Sequence, residues 1–253
     1  MFIDTHIHLD IPKLKNQIKT VLNSANKVGV RKFIIPAINS NSLTPIVELS
    51  ETYEEIFFSS GHHPNYLEPF NLDAIKLAAL NENCVAIGEC GLDWFRIQKG
   101  SDIKSVKSRQ INIFEQQLKL AESINKPVIL HSRNADQEMV DSLSKFNVRG
   151  VLHCYVGSDK LLELIDKDFY FGIGGVLTYK SSAVLKENVK KIPLNRLLLE
   201  TDGPYLTPTP FRKLINESKY IPLIFNELAA ILELDPAELE FIIEENTNRL
   251  FFS

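Results

Sequence analysis

Short runs of β-branched and aromatic residues alternate along this chain with longer stretches whose apolar positions recur at helical spacing. The first run, 2–8, has strand composition, and the stretch 13–28 behind it predicts a helix ending near Gly29. A second strand at 32–36 is stopped by Pro36, and a helix over 42–53 leads to a third strand at 56–59 and a loop, Gly61-His62-His63-Pro64. Helices near 71–81 and 105–124 precede strands at 84–89 and 127–131. The stretches 136–145, 158–167 and 180–190 in turn precede strands at 150–153, 169–173 and 196–200, and 218–251 supplies two further helices.

Eight such βα units favour a TIM-type (β/α)8 barrel with additional C-terminal helices over a doubly wound sheet, which usually has about five or six strands. A length of 253 residues with 44% apolar content suits one barrel of this kind. No low-complexity tract or Pro/Gly-rich linker interrupts the alternation, so 1–253 reads as a single domain.

The chemistry gathers at strand ends. His6 and His8 stand two apart on a strand, where positions i and i+2 face the same side, so both imidazoles can grip one ion. Of the other four histidines, His63, His131 and His153 also follow strand runs, as do Glu89 and Asp202. In a closed parallel barrel the C-terminal strand ends meet at one mouth, so these positions can share a site. Imidazole suits transition ions and carboxylate suits harder ones; four His with Glu89 and Asp202 exceed one tetrahedral site and suffice for two ions. Two divalent ions, Mg, Mn or Zn, would activate a water for in-line displacement at phosphorus. Asp202, after the last strand, is placed both to touch a metal and to accept the proton of that water.

Charge narrows the partners. A net charge of −4 argues against a protein that holds nucleic acid on a broad basic surface, so any polyanion must be gripped locally, for instance by metal ions. Cys84, Cys90 and Cys154 form no metal or redox spacing and read as reduced, buried residues; without a secretory segment this predicts a cytoplasmic protein. No apolar run approaches the roughly 18 residues of a membrane span. Leu223, Leu228, Ile231 and Leu232 read as helical core, not as a partner face, and a monomer without a stable protein partner is expected. Gly172, Gly174 and Gly175 are expected to permit close backbone approach near the mouth, since no phosphate-loop pattern follows them.

Several motifs together carry a resemblance: residues 2–10 (FIDTHIHLD), 61–64 (GHHP), 88–93 (GECGLD), 110–121 with Phe114 and Gln117, 126–133 (KPVILHSR), His153-Cys154-Tyr155, 198–208 (LLETDGPYLTP) and 246–251 (NTNRLF). Running almost end to end, they resemble the TatD-type metal-dependent deoxyribonucleases of the amidohydrolase superfamily. The resemblance implies a binuclear centre in which His6, His8, Glu89 and Asp202 hold one ion while Glu89, His131 and His153 hold the other, with Glu89 bridging. It implies that His63 faces the scissile phosphate and that Glu89 and Asp202 take part in catalysis. His62 falls on the variable position of its motif and is expected as an exposed loop histidine. The chain departs from the family pattern at Cys90 and Tyr155, tolerable packing variants, and over 209–221, where Asn216-Glu217 matches residues that often cap the late helix.

Past the fourth strand, Trp94 and the aromatic beside it could stack on a base, with Arg96 meeting phosphate; Arg133, two beyond His131, could do the same or anchor a loop. The resulting expectation is a hydrolase that cleaves DNA phosphodiesters with a metal-activated water, acting 3′ to 5′ on single strands. The alternatives are a metallohydrolase of a smaller ester or amide, or of aminoacyl-tRNA, and a metal-dependent DNA-binding protein without turnover.

Overall fold

All eight apolar runs form strands. The computed structural model, which describes residues 1–253, places them in one parallel sheet in chain order. They are β1 Phe2–Asp4, β2 Val30–Pro36, β3 Ile56–Ser60, β4 Cys84–Asp93, β5 Val128–Arg133, β6 Gly150–Leu152, β7 Tyr170–Ile173 and β8 Leu197–Leu199. Sequential parallel order with helical crossovers is that of a (β/α)8 barrel. The last seam is thin. β8 meets β1 through Leu199, whose carbonyl accepts from the Thr5 backbone N–H at 3.1 Å and from the Thr5 hydroxyl at 2.9 Å, and an isolated parallel bridge joins Ile7 to Gly203.

The helices are α1 Pro12–Lys15, α2 Ile18–Asn26, α3 Leu43–Thr52, α4 Leu72–Ala78, α5 Ile103–Ile124, α6 Asp136–Leu143, α7 Ala183–Val189, α8 Ile221–Leu232 and α9 Pro236–Phe251. Two predicted helices differ from expectation. The 13–28 stretch splits because Gln17 leaves the helical region, at φ −130° and ψ 27°. The 158–167 stretch winds as a 3-10 helix, Lys160–Lys167. Its buried residues Leu161 and Leu164 lie three apart, which a three-residue turn aligns on one face. No helix is long and apolar enough to cross a membrane.

Inside the barrel, Ile34, Ala86, Ile129, Val151 and Leu198 come from five strands into one buried cluster, and Leu250 and Phe251 of α9 join it. The end of α9 therefore plugs the barrel. The plug lies at the N-terminal side of the strands, because the Met1 ammonium at the start of β1 meets Glu240 and Glu244 of α9 at 2.5 and 2.8 Å. Asn246 adds hydrogen bonds from its amide to the carbonyls of Leu194 and Leu197 at 2.8 and 3.0 Å, tying α9 to the entrance of β8. The opposite end is left open for chemistry.

Asp4, fully buried, locks β1 to the segments beyond β8. It accepts from the Thr201 N–H at 2.9 Å, the Thr201 hydroxyl at 2.6 Å and the Ser218 hydroxyl at 2.7 Å. Burial pushes its carboxyl up to about 7, only partly opposed by these hydrogen bonds. The folded chain thus binds a proton at Asp4 that the unfolded chain has released above its ordinary value of 3.8, so this residue lowers stability as pH rises from about 4 to about 7. Asp4→Asn should flatten that part of the stability profile. Asp4→Ala, which strands the Thr201 N–H and two hydroxyls, should cost about 3 kcal/mol. Urea midpoints across pH 4–7 test both; an unchanged slope in Asp4→Asn would count against the carboxyl's role.

Candidate metal centre

The exit of β1 is pinned on both sides, which sets where its histidines point. Ile7 donates to the Ile34 carbonyl at 3.1 Å, His8 donates to the Gly203 carbonyl at 2.8 Å, and Asp202 donates to the His6 carbonyl at 2.8 Å. The chain bends at Thr5 and His6, and these backbone bonds fix the segment so that the His6 and His8 rings lie 5.3 Å apart with both Nε2 atoms toward Asp202, while Ile7 is buried. β4 runs four residues further than the sequence pattern predicts, to Asp93. Pairing with β5 explains the extension, with Gly91 opposite His131 and Asp93 opposite Arg133. Gly91 has φ +142°, and a Cβ there would lie 2.0 Å from the His131 carbonyl oxygen, so only glycine lets the strands touch beside this ligand.

Glu89 is the hub. Its Oε2 lies 3.4 Å from His6 Nε2, while its Oε1 lies 2.9 Å from His131 Nδ1, 3.0 Å from His153 Nε2 and 3.4 Å from His63 Nε2. Asp202 Oδ1 completes the other side, 3.5 Å from His8 Nε2 and 3.8 Å from His6 Nε2. Three groups have donor atoms close enough to share a cation: His6, His8 and Glu89; His6, His153 and Asp202; and His63, Glu89 and His131. All six predicted ligands thus meet at the mouth, and His63, expected only to face substrate, stands among them. His153 packs face to face on His6, ring centroids 3.9 Å apart, which joins the two sides.

The donor set fits a cation. His6 Nε2, which faces both Glu89 and Asp202, is buried without a hydrogen-bond partner, a costly state that a metal between them would relieve. Burial would raise the carboxyl of Glu89, but His153, His63, His6 and His131 outweigh it and hold the group well below its ordinary range. Asp202 is likewise pushed up by burial and pulled lower overall by His8 and the neighbouring imidazoles. Burial holds His63 down at about 3, and burial with His153 lowers His6. For His8, His131 and His153 burial is outweighed by their carboxylate partners, so all three hold protons more tightly than usual. Two ionised carboxylates and neutral imidazoles are what a cation needs, and it must displace protons from the other three rings.

Residues outside this set hold it in place. Asp93, at the end of β4, accepts from His131 Nε2 at 3.2 Å, from the Asn65 amide at 3.1 Å and from the Arg96 N–H at 3.0 Å. Burial pushes Asp93 up, yet these donors bring it to about 2. Glu200 accepts from the Cys154 N–H at 2.7 Å and lies 3.4 Å from His153 Nδ1, in space left by Gly172, where a Cβ would sit 2.2 Å from Glu200 Oε2. Neither acid was assigned a role from sequence, although Asp93 shares the alternation of Glu89 and Gly91, and Glu200 stands two before Asp202. On α5, Gln110 and Gln117 lie seven apart on one buried face. Gln110 accepts from the Asp93 N–H at 3.0 Å and donates to the Pro64 carbonyl at 3.1 Å, while Gln117 exchanges 2.7 and 3.0 Å hydrogen bonds with the backbone of His62.

Two expectations are corrected. His62 is not an exposed loop histidine: it is fully buried, its ring edge-on to Phe70 at 5.3 Å and its Nε2 against the Tyr66 carbonyl. Asn216 does not cap the late helix. It is buried and donates to the carbonyls of Thr201 and Tyr205 at 2.7 and 2.6 Å, stapling the loop after β8. Among the expected substrate contacts, Trp94 lies half-buried against the core with Lys107 Nζ 3.5 Å from its ring centroid, whereas Phe95 beside it is exposed. The Arg133 guanidinium lies 3.8 Å from the Phe95 centroid, and the Arg96 side chain is exposed.

Comparison with known proteins agrees with this architecture. The family model for TatD related DNase matches residues 3–252. The metal-dependent hydrolase YabD of Bacillus subtilis is 34% identical, covering 99% of both chains. The crystal structure of YjjV, a TatD homolog from Escherichia coli K12, superposes with a TM-score of 0.92 at 30% identity over 100% of this chain and 98% of that one. A TatD family hydrolase from Entamoeba histolytica shares the fold at a TM-score of 0.86 and 22% identity, covering 99% and 98% of the two chains.

Proposed function

The chain belongs to the TatD related DNase family of metal-dependent hydrolases, and we propose that it hydrolyses phosphodiester bonds in DNA at a binuclear centre bridged by Glu89. The observation that carries this reading is the division of Glu89, with Oε2 facing His6 and Oε1 facing His131 and His153. One carboxylate offering an oxygen to each of two imidazole sets is the donor arrangement of a paired-cation site. In this reading His6, His8, Glu89 and Asp202 would hold one cation, and Glu89, His131 and His153 would hold the other. Two divalent cations, when bound, supply Lewis-acid polarisation of a phosphoryl oxygen and lower the pKa of water.

The chain's own residues do the rest. Asp202 reaches the mouth with its carboxylate 15% exposed, placed to accept the proton of an attacking water. His63, held neutral by burial, faces the same space and can orient the phosphate or take a place among the ligands. Arg96 and Arg133 bring positive charge to the rim of a net-acidic protein, so few phosphate contacts are made and the salt slope of DNA binding is expected to be shallow.

The test is a substrate panel after chelation and reloading with Mg²⁺, Mn²⁺ or Zn²⁺ separately: end-labelled single strands, blunt duplexes, closed circular DNA, aminoacyl-tRNA and small esters. Stepwise 3′ to 5′ shortening of linear single strands, with circles spared, is expected. Fast nicking of circles would overturn the exonuclease preference. Hydrolysis of esters or aminoacyl-tRNA with no DNA cleavage would overturn the nuclease reading.

A further inference from the structure

Three aromatic side chains stand exposed around the metal ligands, each delivered by a different βα loop. Tyr66 follows β3, Phe95 follows β4 and Tyr205 follows β8, and they are 42%, 58% and 51% exposed. Each is anchored close to the centre. Tyr66 donates its backbone N–H to the His63 carbonyl at 3.0 Å, and its ring lies edge-on to the His63 ring at 6.2 Å. Tyr205 donates to the Asp202 carbonyl at 2.9 Å, and its ring lies 6.1 Å from that of His8. The Phe95 loop is held by the Asp93 carboxylate, which accepts from the Arg96 N–H, and the Arg133 guanidinium covers one face of the Phe95 ring and leaves the rest of it in solvent.

Exposed apolar side chains scattered singly over a surface need no explanation; Tyr66 and Tyr205 differ in place, since each ring stands beside an imidazole of the metal centre. Nucleobases are planar, apolar on both faces and joined by phosphates, and they match rings interleaved with guanidinium groups. In a duplex those faces are already stacked; only an unpaired strand offers them.

We propose that Tyr66, Phe95 and Tyr205 form a stacking rim for the unpaired bases flanking the scissile phosphate, with Phe95 on Arg133 as its principal platform. The inference rests on the phosphodiesterase reading of the same centre and deepens it, by making recognition depend on the bases and not on the backbone alone. It commits the occupant to single-stranded nucleic acid, sequence-tolerant because every base has a π-face.

The test uses the metal-loaded full chain and two phosphorothioate-linked strands of equal length, one carrying 2-aminopurine among ordinary bases and one with abasic sugars at the same positions. Wild-type protein should quench 2-aminopurine on binding and should prefer the base-bearing strand by ~10-fold or more. In Phe95→Ala that preference should collapse toward one, and Phe95→Tyr should restore it; a structural effect of the substitution would weaken both strands together. Smaller losses are expected in Tyr66→Ala and Tyr205→Ala. Equal binding of the two strands by wild type, or a preference that survives in Phe95→Ala, overturns the rim. Base-dependent binding with no cleavage of the corresponding phosphodiester strands would leave the rim standing and sink the nuclease reading. Normal cleavage with no dependence on bases would do the reverse. Neither binding nor cleavage, beside hydrolysis of small esters, would overturn both.

Discussion

Glu89→Gln should strip the centre of at least one cation. The amide keeps the shape of the side chain but replaces one anionic oxygen with an N–H₂ group that cannot ligate, so one of the two imidazole sets loses its oxygen whichever way the amide lies. Outer partners of metal ligands alone are worth about 10–100-fold in metal affinity, and a shared ligand should exceed that range. Metal content by elemental analysis should fall from the two ions per chain proposed for wild type to one or none, with turnover lost in parallel. Two tightly held ions in Glu89→Gln would end the bridging role.

The same substitution has a signature without metal. Glu89 is held well below its ordinary value of 4.5 by the surrounding imidazoles, so its contribution to stability is present above that pH and fades in acid. His153 is raised well above 6.5 despite burial, chiefly by Glu89 and Glu200, so its contribution is complete below that pH and fades in base. Both are full between about pH 4.5 and 6.5. In chelator, the stability lost in Glu89→Gln should therefore be largest in that window, on the order of 3 kcal/mol, and should shrink toward alkaline pH.

Much of this centre was legible because a parallel barrel turns a one-dimensional rule into a three-dimensional one: a polar residue just past an apolar run lies at the mouth. That rule finds His6, His8, Glu89, His131, His153 and Asp202 without any knowledge of pairing. It loses the end of β4, because Gly88, Cys90 and Gly91 dilute the β-branched composition, and the strand continues only through its ladder with β5. Asp93 went unassigned with it. The burial of His62 depends on Phe70 and on Gln117, which is 55 residues away in the chain, and no local pattern announces such partners. Asn216 is similar, since its amide bonds backbone carbonyls 11 and 15 residues earlier instead of the helix that follows. Side chains whose partners are backbone atoms on other loops are the part of a site that sequence pattern conveys least.

Asp202→Asn should leave the fold intact and remove most of the turnover. Asp202 sits at φ +58°, in the left-handed region, where asparagine is better tolerated than most residues, so this change adds little backbone strain whereas Asp202→Val would add much. The amide also keeps one oxygen to set against His8 or a cation. What it cannot do is take a proton, and loss of a general base costs roughly 10²–10⁴-fold. Measurement at saturating metal, with bound metal determined on the same sample, separates this loss from weakened ligation. The pH profile gives a second check. Asp202 is held below its ordinary carboxylate value, so it is ionised throughout the neutral range and does not itself set the acid limb. That limb should instead reflect protons that His8, His131 and His153 must release before metal binds, all three being raised by their carboxylate partners against the pull of burial. It should therefore move to lower pH as metal concentration rises, in wild type and in the residual activity of Asp202→Asn alike. An acid limb that ignores metal concentration would overturn the competition between protons and metal at His8, His131 and His153, and wild-type turnover in a metal-loaded Asp202→Asn protein would remove Asp202 from the proton-accepting role.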